Sequence, residues 1–369
     1  MNTARDWHDR NPYFIKTVEV SGLLSRKNVR WDLGNVNVLV GQNGSGKSTI
    51  LDLVRFCLLG PDYFDPSTIA DKFSSVTVTF NNGMQSTCNI TDPEEHEHVM
   101  LDTIRSLLDR SKENGYTDPE LEKLERLYKT ISTNRPSENT KQAKVQSFAT
   151  GKNDFITNDG GNELLRNVNV EYISTFDMIL MSKEEQDQHS DELGKYSQLD
   201  ILISKELSKL SRLILKKNNK TFDQYNLKFK NSTKDLYSIS VENTSQIRIF
   251  VEKLNEMFAA EKKSFFLDNT GWLVIECNGK KINHKLLSSG EKQLLYILLK
   301  TVNTSDKASI LLLDEPEISM HLGWQEQLIG ALRQINPSIQ IVAVSHSPAL
   351  VMKGWLNCLS DIKNITINS

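Results

Sequence analysis

The sequence is poor in cysteine. Its four residues, Cys57, Cys88, Cys277 and Cys358, lie far apart and no C-x-x-C pair occurs. That pattern excludes a zinc ribbon or a dithiol redox centre and fits free thiols in a reducing cytosol. Long apolar runs are missing as well, and none approaches the ~20 residues that a membrane span needs. Met1–Pro12 is polar and carries both charge signs, so it does not read as a secretory leader. Neither sign of charge dominates: 44 Lys and Arg stand against 47 Asp and Glu, a net charge of −3. Any nucleic-acid surface must therefore be local rather than global. No long heptad array occurs, which excludes a coiled-coil arm, and no second acidic or His-rich cluster suggests a nuclease centre. What remains is a 369-residue chain with ordinary apolar and charged fractions. That length suits one elaborated α/β domain or two to three smaller ones.

The most specific signal is Gly41-Gln42-Asn43-Gly44-Ser45-Gly46-Lys47-Ser48-Thr49, a G-x-x-x-x-G-K-[ST] phosphate loop. The apolar run Val36–Val40 precedes it as a strand, and Ile50–Leu59 follows as a helix, the context in which the pattern is meaningful. The glycines let successive backbone N–H groups curl around a phosphate at the positive end of a helix. Lys47 is expected to reach the β and γ phosphates of ATP, and the Ser48 hydroxyl to ligate Mg²⁺.

Strands are expected over Tyr13–Val20 and Val36–Val40, separated by a connection holding Gly22, Arg26 and Lys27. Val76–Phe80 alternates Val and Thr, Asn81-Asn82-Gly83 supplies a turn, and Gln85–Ile90 returns as an antiparallel partner. From Thr91 to Gly161 the composition turns polar. His98–Ser111 and Pro119–Ile131 have helical patterning, and Ser132–Asn153 reads as mobile. Val168–Phe176 resumes a strand. Leu199–Lys217 places apolar residues at 199, 202, 203, 207, 210, 213 and 214, a helical spacing with a basic opposite face. Over Leu199–Asp235 nine Lys and Arg meet four Asp and Glu, either a solvated face or a surface for DNA or RNA. Gln246–Ala260 reads as a helix, and Phe265–Ile275 with Asn278-Gly279 as strands and a turn. The last quarter alternates helix Gly290–Thr301, strand Ser309–Leu313, helix Leu322–Ile335 and strand Ile339–Val344, which predicts a mostly parallel sheet with helices on both faces. Four segments follow: 1–90 with the phosphate loop and a β lobe, 91–165 as a polar, partly disordered insertion, 166–264 as a strand with a helical subdomain, and 265–369 with the remaining motifs.

Three further motifs carry chemistry. Ile310–Leu313 is an apolar strand ending in Asp314-Glu315-Pro316. It delivers Asp314 to the sheet edge to hold Mg²⁺, and Glu315 to orient and activate the attacking water. Ser288-Ser289-Gly290-Glu291 opens a helix and offers hydroxyl and backbone donors to an anion, or alternatively a Ser N-cap. His346, after the strand Ile339–Val344, is placed to contact a γ-phosphate or the water.

The order phosphate loop, Ser-Ser-Gly-Glu, Asp-Glu-Pro-Glu-Ile-Ser-Met-His-Leu and Ser345-His346-Ser347-Pro348 resembles an ABC-type ATPase of the RecF/SMC/OLD-like soluble branch. The match covers residues 13–60 and 285–350 well and the middle poorly. The resemblance implies a P-loop ABC-type ATPase head with a mostly parallel sheet, an antiparallel β lobe and a helical insertion. It implies that Ser289 and Gly290 of one subunit cap ATP held by another, in a homodimer or higher homo-oligomer. It also implies that Glu317–His321 lies near the dimer interface, and that Arg26 is the arginine some members place near the nucleotide. A glutamine loop is expected near Ser174–Gln188, with Gln186 or Gln188 as its glutamine. Compact heads of this kind resemble the ATPase subunits of anti-phage systems such as Septu, retron modules and PARIS, which implies a separately encoded effector, often a nuclease, and a cytoplasmic location without a membrane. A RecF-like ATPase that clamps DNA and a transporter ATP-binding subunit share parts of the pattern.

Overall fold

The computed structural model describes residues 11–24, 27–59, 72–91, 142–146, 163–174, 197–228 and 236–367. The chain begins with β1 (Ile15–Leu23), β2 (Lys27–Asp32), β3 (Val36–Val40) and α1 (Lys47–Leu59), then β4 (Ser75–Phe80), β5 (Gln85–Thr91) and β6 (Gln142–Gln146). Next come α2 (Glu163–Asn167), β7 (Asn169–Ser174), α3 (Gln198–Lys228), α4 (Leu236–Met257), β8 (Lys263–Leu267), β9 (Leu273–Cys277) and β10 (Lys280–Ile282). The last part holds α5 (Ser289–Asn303), β11 (Ser309–Asp314), α6 (Leu322–Ile335), β12 (Ile339–Ser345), α7 (Ala349–Met352), β13 (Leu359–Asp361), α8 (Ile362–Ile365) and β14 (Thr366–Ile367).

Among the described residues the strands form three sheets. The central one is wholly parallel, in the order β13-β3-β12-β11-β7. An antiparallel sheet runs β14-β2-β1-β4-β5-β6, and a small antiparallel one runs β10-β9-β8. The central strands read as unbroken apolar runs because both of their faces are covered. Along β11, Leu311 and Leu313 join a core with α3, α4, α5 and α6, while Ile310 and Leu312 face α1 and the antiparallel sheet. In β12, Ile341 and Ala343 take the first side, Val342 and Val344 the second. This is the period-two alternation of a strand, here with two apolar destinations.

Several expectations need correction. The connection between the first two expected strands contains β2, which pairs with β1 from Thr17↔Asp32 to Leu23↔Lys27. Its alternation, with Val29 and Trp31 buried between polar residues, is a half-buried strand signal. The stretch 132–153, expected to be mobile, supplies β6, paired with β5 from Thr87↔Gln146 to Thr91↔Gln142; cross-strand bonding overrides its polar composition. The helix expected over Leu199–Lys217 runs on to Lys228. It buries Ile203, Leu210 and Ile214 on the expected face. Arg26, Gln186, Gln188 and the helices expected over 98–111 and 119–131 lie outside the described residues.

Gln340 ties the two large sheets together. It is fully buried in β12. Its Oε1 accepts from Ile15 N at 2.8 Å, and its Nε2 donates to Ile15 O at 2.7 Å and Gly34 O at 2.8 Å. A buried amide survives in an apolar sheet only when matched in this way. Gln340→Leu keeps the volume and strands these main-chain groups at ~1–3 kcal/mol each. We expect unfolding in urea to show a loss of about 3 kcal/mol; a midpoint equal to wild type would refute the tie.

Candidate active site

β3 ends at Val40, and the chain turns through Gly41–Gly46 before α1 begins at Lys47. Gly44 (φ 72°) and Gly46 (φ 99°) adopt left-handed conformations that glycine reaches without strain. A Cβ on Gly46 would lie 3.0 Å from Leu23 Cδ2 of the β1–β2 hairpin, so the hairpin presses on the turn. The Ser45 hydroxyl is buried with no hydrogen-bond partner. An unmatched hydroxyl inside a loop of convergent N–H groups suits an oxyanion ligand. The loop opens into a cleft of about 590 Å³ lined by Asn43–Thr49 with Leu24, Lys72, Glu315 and His346.

Lys47 is 4% exposed. Its ammonium donates to Gly41 O at 3.0 Å and Gln42 O at 3.1 Å, and lies 3.2 Å from His346 Nε2. Burial pushes it below the ordinary lysine value, and the charges of Glu315, Asp314 and Glu317 pull it back up. One residue on, Ser48 Oγ donates to Asp314 Oδ1 at 3.1 Å. These two oxygens, from the start of α1 and the end of β11, are the hard donors that Mg²⁺ selects. Among the described residues no group of three or more His, Cys, Asp or Glu forms a metal cage. Such a site suits an ion that takes few protein ligands and completes its shell with phosphate and water.

Glu315 sits at φ 49° with its N–H on Val344 O at 2.9 Å. This left-handed conformation turns the chain sharply off β11. Its Oε1 lies 2.9 Å from His346 Nε2. That nitrogen can accept from Lys47 or donate to Glu315, but one tautomer cannot do both. Lys47, Ser48, Asp314, Glu315 and His346, drawn from three separate stretches of sequence, therefore meet at one end of the cleft.

The Ser288–Glu291 segment does not line this cleft. Ser288 caps α5 in a capping box: Glu291 N donates to Ser288 Oγ at 3.4 Å, and Ser288 N to Glu291 Oε2 at 2.8 Å. Ser288 and Ser289 are exposed. Glu291, expected as a nucleotide contact, is instead turned inward. It pairs with Lys263 at 2.6 Å, which with the Ser288 bonds holds its carboxyl below the usual range against the opposing effect of burial. In the loop Glu317–His321, Glu317 is buried whereas Ser319 and His321 are exposed.

Leu24 and Lys72 were not legible as site residues. They are joined by Leu24 N donating to Lys72 O at 2.6 Å, a contact with no motif behind it. The basic run on α3 is partly engaged: Lys209 pairs with Glu206 at 2.8 Å and Lys216 with Asp306 at 3.7 Å, and Lys217 donates to Asn243 O at 2.9 Å. Among the described residues no helix is long and apolar enough to cross a membrane.

The family described as "AAA domain, putative AbiEii toxin, Type IV TA system" matches residues 36–352. Septu protein PtuA of Bacillus thuringiensis is 30% identical over 98 residues, 23% of this chain and 25% of that one. Retron Ec83 probable ATPase of Escherichia coli is 22% identical over 136 residues, 29% of this chain and 25% of that one. Retron Vc95 probable ATPase of Vibrio cholerae serotype O1 biovar El Tor is 23% identical over 365 residues, 86% of this chain and 66% of that one. The matched part is thus a quarter of the length of the first two relatives and just under two thirds of the third. Among solved structures, an SMC head domain from Pyrococcus furiosus bound to the C-terminal domain of ScpA aligns over 92% of this chain and 91% of that chain, at 14% identity and a TM-score of 0.45. The SMC head domain from Thermotoga maritima aligns over 94% of both chains, at 12% identity and a TM-score of 0.42.

Gly290 is held by contact rather than by backbone freedom. A Cβ there would lie 2.1 Å from Ser319 O. Gly→Ala inside a helix ordinarily gains about 0.5–1 kcal/mol. Here main chain must move, and overpacking of this kind costs about 1–3 kcal/mol. Gly290→Ala is therefore expected to lower the melting temperature; a rise would disprove the contact.

Proposed function

The chain belongs to this AAA-domain family, and from that premise we propose that it is an ABC-type ATPase that hydrolyses ATP between two copies of itself. We propose further that its nucleotide state controls a separately encoded effector, a nuclease, in anti-phage defence. The observation that carries the reading is the split of the motifs. Lys47, Ser48, Asp314, Glu315 and His346 converge on one cleft, while Ser288 and Ser289 stand exposed outside it. A cleft with a positioned base on one side, and the exposed Ser288-Ser289 start of a helix outside it, support closure by a second subunit. Similarity to Septu and retron proteins supports the defence assignment.

In this reading the Gly44–Gly46 turn and the Ser45 hydroxyl bind the phosphates, and Lys47 leaves its loop carbonyls for the β/γ oxygens. Ser48 and Asp314 would hold Mg²⁺, which supplies charge neutralisation at the phosphates when bound. With Lys47 drawn to phosphate, His346 Nε2–H is free to donate to Glu315, fixing the carboxylate. Glu315 accepts the proton of the attacking water as its oxygen bonds to the γ-phosphorus and the bond to the β-bridging oxygen breaks, releasing ADP and phosphate. Ser289 and Gly290 of the neighbouring copy contribute hydroxyl and N–H donors to the γ-phosphate, where charge stabilisation matters most.

Two measurements test the parts separately. Glu315→Gln is expected to cut turnover by about 10²–10⁴-fold, the usual worth of a positioned base, while the assembly with the effector persists on ATP in size-exclusion chromatography; wild-type turnover would remove Glu315 from the role. Lys47→Ala and Ser289→Arg chains, each inactive alone, should regain part of the turnover when mixed, because one composite site of the hybrid is then intact. Absence of recovery, with hybrid formation verified, would argue against a shared site.

A further inference from the structure

Glu317 lies two residues beyond Glu315 but points into the protein, at 7% exposure. One of its carboxylate oxygens, Oε1, accepts three donors from the end of β12: Ser345 Oγ at 2.6 Å, His346 N at 2.9 Å and Ser347 N at 3.1 Å. Ser347 N also reaches Ser345 Oγ at 2.8 Å. Successive N–H groups converging on one anionic oxygen form a backbone nest. The nest holds the chain that carries His346, so it limits where the imidazole can stand relative to Glu315 and Lys47.

The loop that carries Glu317 is itself gripped from other directions. Gln293 Nε2, on α5, donates to Pro316 O at 2.8 Å in a buried contact, and Gly290 lets Ser319 O approach the first turn of the same helix. On α6, Gln325 donates to Met320 O at 2.9 Å and accepts from Ser347 Oγ at 2.7 Å. A buried carboxylate is costly unless donors meet it; here only Oε1 is met, by donors of the strand end beside Glu315 rather than of Glu317's own loop, while Oε2 is buried without a hydrogen-bond partner.

We infer that Glu317 is a positioning residue. It holds His346 in register with Glu315 and Lys47, from a loop anchored on the helix that begins at Ser289. Its catalytic consequence rests on the ATPase reading above, whereas the structural statement about His346 does not.

The test uses the full chain, with the histidines labelled with ¹⁵N and His346 assigned by His346→Ala. Glu317→Ala should shift the His346 imidazole nitrogens, and Glu317→Gln, which keeps an acceptor oxygen, should restore most of the wild-type signal. In turnover, Glu317→Ala should lower kcat by about 10–100-fold without raising KM, the scale on which small misplacements cost rate. The double variant Glu317→Ala/His346→Ala should be no slower than His346→Ala alone, since the two act as one unit. A His346 signal unmoved by Glu317→Ala, or additive losses in the double variant, would overturn the inference. Should Glu317→Ala not fold, Ser345→Ala carries the same resonance test, with the same outcomes. A wild-type chain that turns over no ATP would sink the ATPase reading and leave the resonance test standing.

Discussion

The parallel pairing of β3, β12 and β11 is the constraint on which the site depends. Val40 pairs with Ser345, and Val344 with Asp314. Three strand ends therefore emerge level at one edge of the sheet, followed by the phosphate loop, by His346 and by Glu315. The register is held because both faces of these strands are buried. A shift of one residue would exchange the two apolar faces and move each functional side chain along the edge. Gln340 adds a polar lock that fastens the antiparallel sheet, and so the Leu23 hairpin, against this frame.

Lys47 is a buried cation at that edge, set among three acids. It feels Glu315, Asp314 and Glu317 together and rests on carbonyls of its own loop and on His346. Burial works against its charge while the acids support it. An incoming polyphosphate adds a stronger anion to the same ammonium, so binding and the hydrogen bonding of His346 are coupled through one side chain.

The capped start of α5 stands apart from this cleft. Ser288 and Ser289 are exposed, while Gly290, Glu291 and Gln293 face inward and grip Lys263 and the loop after Glu315. The segment thus has an outward, exposed side and an inward side in contact with the loop after Glu315. Ser288 and Glu291, which form the capping box, stand on the two sides of this segment.

Much of this was legible in the chain itself. The glycine spacing before Lys47, the apolar run ending in Asp314-Glu315 and the strand before His346 are local patterns, and local geometry follows from them: strand, tight turn, helix start. The helical face of Leu199–Lys217 was legible for the same reason. β6 was not, because a short polar strand takes its conformation from a partner distant in sequence, whereas the alternation of Val29 and Trp31 in β2 was a local signal. Leu24 and Lys72 carry no pattern and reach the cleft only through the hairpin and the segment it touches. Nor could Glu291 and Glu317 be told from ligand-facing acids, since the side on which a carboxylate lies is set by packing. The sequence alone determined the chemistry, because phosphate binding needs particular residue types at particular spacings along one stretch. Tertiary structure decided which acids face the cleft, which brace it, and that the Ser288–Gly290 segment lies outside it, because those outcomes depend on contacts between segments that only the folded sheet brings together.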